Sequence, residues 1–211
     1  MTLLHSQEHL EIVTSNNRDP IIFIPGLNQA PASFIFSNSN VKFLSLSFNK
    51  KMRPNLTQDL EKIRKIFKNN SRSIVVAHSL AALLIEWAIQ NEELEIRDNK
   101  LIYMAPAFYP PNIMAKFVKV SARGILNHLP ILSLAPLKSR ARSYVELGVY
   151  REILNLNEDI DIAKCRARVI VDARDEMLNI KYLKGISQLE IVRENQFPHH
   201  RCYTSLKRII D

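Results

Sequence analysis

Short apolar runs recur along this chain, and amphipathic stretches fall between several of them. Apolar and β-branched runs predict strands near residues 10–13, 21–24, 41–48, 73–77, 101–105, 168–173 and 188–192. Apolar residues at helical spacing predict helices over residues 57–68, 80–90 and 204–210. Several of the strands are apolar on both faces, as in a parallel sheet covered above and below. Their alternation with helices predicts an α/β fold with a doubly wound, mostly parallel sheet. In such a fold the functional site lies at the carboxyl ends of the strands.

The alternation breaks between residues 108 and 156. That stretch holds helix-like and loop-like pieces rich in Leu, Ile and Val, among them Gly124-Ile125-Leu126-Asn127-His128-Leu129. The chain therefore reads as one core, residues 1–107 and 157–211, carrying an insertion at 108–156.

Composition narrows the class. A chain of 211 residues, 46% of them hydrophobic, suits one domain with a substantial core. Residues 1–20 are polar and carry no signal-like apolar run, and no apolar stretch has the length of a membrane span. Cys165 and Cys202 have neither metal-ligand spacing nor a disulfide framework around them. The expectation is a cytoplasmic protein needing no metal or organic cofactor. A net charge of +8 raises the question of nucleic acid. No zinc pattern, aromatic RNA-binding motif or glycine-rich clamp accompanies it, so no specific nucleic-acid partner is expected.

The chemistry concentrates in residues 73–84. Ile74, Val75 and Val76 form a buried-strand run. After Ser79 the preferences switch to helix formers, with Leu80, Leu83, Leu84 and Trp87 at helical spacing. A serine at such a corner has its hydroxyl lifted out of the sheet with helix N–H groups behind it. That arrangement presents a nucleophile and supplies half of an oxyanion hole. A helix-capping serine would occupy the same place.

Ala77-His78-Ser79-Leu80-Ala81 resembles the nucleophile elbow of the α/β-hydrolase superfamily, Gly-x-Ser-x-Gly, with alanine at both glycine positions. Upstream, Pro20-Ile21-Ile22-Phe23-Ile24-Pro25-Gly26-Leu27-Asn28 resembles the superfamily's first glycine loop, with Pro25 where a histidine is usual. The resemblance implies that the N–H groups of Leu27 and Leu80 form the oxyanion hole. Gly26 gives this loop freedom to bend towards a substrate. Downstream, Arg168-Val169-Ile170-Val171-Asp172-Ala173-Arg174-Asp175-Glu176-Met177 resembles the strand carrying the catalytic acid. The position implied for that acid is Asp175, with Glu176 a weaker alternative and Asp172 too early. The general base must come last, and His199 and His200 follow the final strand; the sequence leaves the choice between them open. His5 and His9 lie too near the N-terminus, His78 sits in the elbow and His128 in the insertion. The set Gly26, Ser79, Asp175, His199/His200 stands in the superfamily's order. It implies a serine carboxylesterase or thioesterase working through a Ser-His-Asp triad.

The insertion lies where members of this superfamily carry a small helical cap over the serine. Its charge is one-sided. Lys116, Lys119, Arg123, Lys138, Arg140, Arg142 and Arg151 stand against Glu146 and Glu152. A basic rim over an apolar pocket suits an acidic carrier of an acyl group, such as acyl carrier protein, or an anionic lipid head group. The resemblance then extends to the esterases that cleave the methyl ester of pimeloyl-acyl carrier protein in biotin synthesis. The missing elbow glycines motivate an alternative: a catalytically degenerate member that binds an acyl ligand or a protein.

Overall fold

Four short strands with almost wholly buried interiors run side by side and in the same direction: β1 (Ile21–Ile24), β3 (Ile74–His78), β4 (Lys100–Met104) and β7 (Arg168–Asp172). Ile24, Val75, Val76, Ala77, Met104, Val169 and Val171 have no exposed surface. β2 (Val41–Phe43) and β8 (Leu189–Val192) extend the sheet at its two edges, again parallel. The order across the sheet is β2-β1-β3-β4-β7-β8. The structure is a computed structural model and describes residues 20–29, 41–50, 55–109, 124–132, 143–175 and 177–193.

This order carries the functional geometry. The chain steps outward from β1 to β2, then returns past β1 to start β3 and winds the other way. Right-handed crossovers in opposite directions place their connections on opposite faces, which is the doubly wound arrangement. The reversal makes β1 and β3 neighbours whose following loops diverge, and a crevice opens at such a point. Gly26 and Ser79 lie just beyond the ends of these two strands.

The described helices are α1 (Ser47–Lys50), α2 (Leu56–Asn69), α3 (Leu80–Gln90), α4 (Leu147–Glu158) and α5 (Ile180–Leu183). α2 is amphipathic, burying Asp59, Leu60, Ile63 and Phe67 on one face. It begins at Asn55, whose side-chain oxygen accepts the Gln58 N–H at 3.0 Å. α3 is apolar nearly all round because it packs against both α2 and α4 as well as the strand that precedes it. No helix among the described residues is long and apolar enough to cross a membrane.

The residue pattern located α3 to the residue and α2 to within one residue at each end. The strand expected over 41–48 is shorter. β2 stops at Phe43, and α1 begins at Ser47. The cause is a contact distant in sequence. The wholly buried Asp59 carboxylate accepts the Ser47 N–H at 2.6 Å, the Ser47 hydroxyl at 2.6 Å and the Phe48 N–H at 3.2 Å. These bonds take the N–H groups of a helical turn, overriding the strand preference of the local sequence.

Within the stretch read as an insertion, the described parts are not helical throughout. A 3₁₀ turn, Gly124–His128, leads into β5 (Pro130–Leu132), which pairs antiparallel with β6 (Tyr144–Glu146). α4 follows, continues two residues past position 156, and contributes Val149 and Ile153 to the main core. The strand expected at 10–13 and the helix expected at 204–210 lie outside the described residues.

Candidate active site

The turn from β3 into α3 is sharp, and Ser79 bears it. Its backbone stands at φ 50° and ψ −113°, a conformation that side-chain-bearing residues rarely adopt. Such a conformation costs of the order of 1–3 kcal/mol and persists only where the surroundings enforce it. Here they do. The Ser79 N–H donates to the Met104 carbonyl at 3.1 Å, while the Ser79 carbonyl accepts from Ala107 at 3.1 Å and Leu83 at 3.2 Å. Its side chain makes no capping hydrogen bond to α3, so the helix-cap reading of this serine does not hold.

Two further residues at the carboxyl edge share the left-handed region, Asn28 at φ 55° and Ala105 at φ 43°. Asn28 donates its N–H to the Phe48 carbonyl at 2.8 Å, and Ala105 donates to Ile170 at 2.9 Å. Backbone strain is therefore gathered around the elbow, as at sites where function fixes geometry against local preference.

The alanines in place of the elbow glycines, Ala77 and Ala81, are both wholly buried. The essential glycine is Gly26, for a reason other than the expected bending freedom. Its φ is not in the left-handed region, which among the described glycines only Gly124 occupies. Its constraint is space. A Cβ on residue 26 would lie 2.7 Å from His78 Nδ1, 2.9 Å from Ser79 Cβ and 3.0 Å from Gln29 Oε1. The loop after β1 is thus pressed against the elbow.

Leu27 is half-buried beside this contact, and Leu80 is buried at the first turn of α3. Among the described residues neither of their N–H groups has a hydrogen-bond acceptor, whereas the neighbouring Gly26 and Asn28 N–H groups each have one.

Asp175 lies three residues beyond the end of β7, on the far side of β4 from Ser79. It is buried, at 8% exposure, and is not the solvated carboxylate that an isolated loop aspartate would be. Its Oδ1 accepts the Met177 N–H at 2.8 Å and the Leu178 N–H at 3.0 Å, which fixes the carboxylate within its own turn. Arg174 forms an ion pair with Asp172 at 3.8 Å. Asp172 also accepts the Arg174 N–H at 2.8 Å and so serves the turn itself. Burial, with Asp175 and Tyr150 adding to it, pushes the Tyr109 hydroxyl well above its ordinary value. Tyr109 therefore stays neutral within electrostatic reach of Asp175.

His199, His200, Glu176 and the basic residues Lys116, Lys119, Arg123, Lys138, Arg140 and Arg142 lie outside the described residues. Of the other histidines, His128 pairs with Glu146 at 3.1 Å away from the elbow, and His78 is wholly buried beneath it.

Two residues near the site escaped the sequence reading. Asn157 of α4 clamps the loop after β4, donating to the Ala107 carbonyl at 2.9 Å and accepting the Tyr109 N–H at 2.8 Å. Gln29 is buried between Gly26 and His78. Neither sits in a local pattern that marks it, since the partners of Asn157 are about fifty positions upstream and His78 is as far downstream of Gln29.

No protein-family model matches the sequence, and no curated protein sequence does. Solved structures do match. The chain is similar to a monoacylglycerol lipase from Paleococcus ferrophilus, with a TM-score of 0.61 and 11% identity over 90% of this chain and 91% of that one. It is similar to a soluble variant of the Saccharomyces cerevisiae monoglyceride lipase, with a TM-score of 0.62 and 10% identity over 100% and 96%. A structure of the metagenome-derived lipolytic enzymes LipS and LipT gives a TM-score of 0.63 at 11% identity over 90% and 89%. At such identity the likeness lies in the backbone alone, and the parallel sheet order already described agrees with it. The chain has the α/β-hydrolase fold.

Proposed function

We propose that this protein is a serine hydrolase that cleaves a carboxylic ester or thioester through an acyl-enzyme on Ser79. The observation that carries the reading is the strained Ser79 corner with the Gly26 loop packed against it at the sheet's reversal point. In this mechanism one of His199 and His200 takes the Ser79 proton as the hydroxyl oxygen attacks the acyl carbonyl. The oxygen that becomes negative is held by the Leu27 and Leu80 N–H groups, whose lack of an acceptor among the described residues supports this role. The histidine then gives its proton to the leaving alcohol or thiol. Water enters by the same steps and releases the acid. Asp175 orients the imidazole and stabilises its charged form, and its burial at the end of β7 supports that assignment.

The likeness to lipolytic enzymes favours a small ester substrate. Within that class, the basic run between Lys116 and Arg142 favours an acyl chain presented by an acidic carrier, acyl carrier protein, with the methyl ester of pimeloyl-acyl carrier protein as the specific substrate.

Intact-mass measurement after exposure to a fluorophosphonate tests the chemistry, with Ser79→Ala as control. One adduct that vanishes in the variant is the expected result. A folded protein that takes no adduct overturns the hydrolase reading and leaves a binding protein. Turnover of pimeloyl-acyl carrier protein methyl ester, weakened by salt, tests the substrate separately.

A further inference from the structure

We infer that Gln29 is a positioning residue, which sets the oxyanion loop against the nucleophile elbow through one side-chain oxygen. The inference rests on the hydrolase reading above and adds a residue to its machinery. Gln29 Oε1 accepts the Gly26 N–H at 2.7 Å and lies 2.8 Å from His78 Nδ1. The first contact identifies the atom as oxygen, because a backbone N–H can only donate. The second then fixes His78: facing an acceptor, its Nδ1 carries the proton.

The consequence is a bridge between two separate strands. Gly26 belongs to the loop after β1, and His78 is the last residue of β3, next to Ser79. Gln29 and His78 are 2% and 0% exposed, so no bulk solvent competes for these bonds. The Gly26 N–H points back into the bridge, and Leu27 is the next residue along the same short turn. That turn is closed by the Gln29 N–H donating to the Gly26 carbonyl at 3.4 Å, and is anchored beyond it by Asn28 on Phe48. The Gln29 oxygen thereby fixes the distance between the Leu27 N–H and Ser79, the two points that must grip one carbonyl group. A misplacement of about 1 Å in such a grip costs about 100-fold in rate.

The test uses hydrolysis of p-nitrophenyl butyrate by the full chain. Gln29→Met keeps the length of the side chain and removes the acceptor; Gln29→Glu restores an acceptor for both donors. The expected result for Gln29→Met is a fall in kcat of about 100-fold with KM little changed, since the oxyanion exists only beyond the ground state. Gln29→Glu is expected to recover most of that loss. A folded Gln29→Met with wild-type kcat overturns the inference while leaving the hydrolase reading in place, as does equal impairment of both variants or a change confined to KM. A wild-type chain that neither hydrolyses the ester nor takes a fluorophosphonate overturns both. Long-range proton–nitrogen spectra of the wild-type imidazole, assigned by loss of the signal in His78→Phe, give a readout independent of how the Gln29 variants fold. Nδ1 protonated is expected, and an unprotonated Nδ1 overturns the bridge.

Discussion

Gly26 and Ser79, one from each side of the sheet's reversal point, are in such close contact that a single methyl group does not fit between them. A Cβ on residue 26 would stand 2.9 Å from that of Ser79, with His78 closer still. The loop cannot easily retreat, because the Asn28 N–H is tied to Phe48 and the Gly26 N–H to Gln29.

Gly26→Ala is accordingly expected to destabilise the fold by about 1–3 kcal/mol, the usual cost of overpacking, and to lower ester turnover by displacing the loop. Urea unfolding followed by fluorescence, alongside p-nitrophenyl butyrate kinetics, measures both. Unchanged stability would mean that the contact relaxes without resistance.

Ser79→Gly is expected to do the reverse for stability. Glycine accepts φ 50°, ψ −113° without steric conflict, so removing the side chain should stabilise the fold by about 1–2 kcal/mol while eliminating the fluorophosphonate adduct. A thermal melt no higher than wild type would show that the corner stores no strain.

Asp175 separates into two roles under two substitutions. Asn keeps an oxygen for the Met177 and Leu178 N–H groups but loses the charge, so Asp175→Asn should stay folded and lose most of its turnover. Asp175→Ala leaves both N–H groups without their acceptor and should also be less stable by about 1–3 kcal/mol. Equal stability of the two variants would remove the structural half of this account.

Asp59 holds the start of α1, including Phe48, whose carbonyl anchors Asn28. Loss of its three bonds in Asp59→Ala should cost about 3 kcal/mol. Denaturant titration of the purified variant checks it.

Cys165 gives a pH-dependent readout of the native state. Burial, reinforced by Glu86, pushes its thiol up to about 12. Below that pH the thiol is protonated and unreactive, so iodoacetamide at neutral pH should modify Cys165 only after unfolding. Peptide mapping separates it from Cys202. Rapid modification of the folded chain would contradict the burial.

The sheet and the serine corner were legible in the sequence because both are local. The run Ile74–Val76 is apolar on both faces, and the change to helix formers after Ser79 puts the corner at one residue. Asp175 is singled out only through the resemblance, as the position the α/β-hydrolase superfamily gives to its acid after such a strand. What the pattern did not disclose depends on partners distant along the chain. The end of β2 is set by Asp59, and the need for glycine at 26 is set by His78 and Ser79. Gln29 reads as an ordinary loop residue until β3 is laid beside β1. At Gly26 the residue type suggests bending freedom, whereas the constraint in the fold is crowding, which residue type does not show.

The parallel order of the sheet has a kinetic meaning as well. Ile21 pairs with Ile74, and Ile102 with Arg168, so the strands flanking the site meet only after long stretches of chain have closed into loops. Contacts of that kind form late in folding. In the proposed mechanism the groups that serve Ser79 come from separate segments, Gly26 from the loop after β1 and Asp175 from the loop after β7. The onset of phosphonate reactivity during refolding would therefore serve as a clock for the last assembly step of the sheet, ticking only once the strands from both halves of the chain are in register.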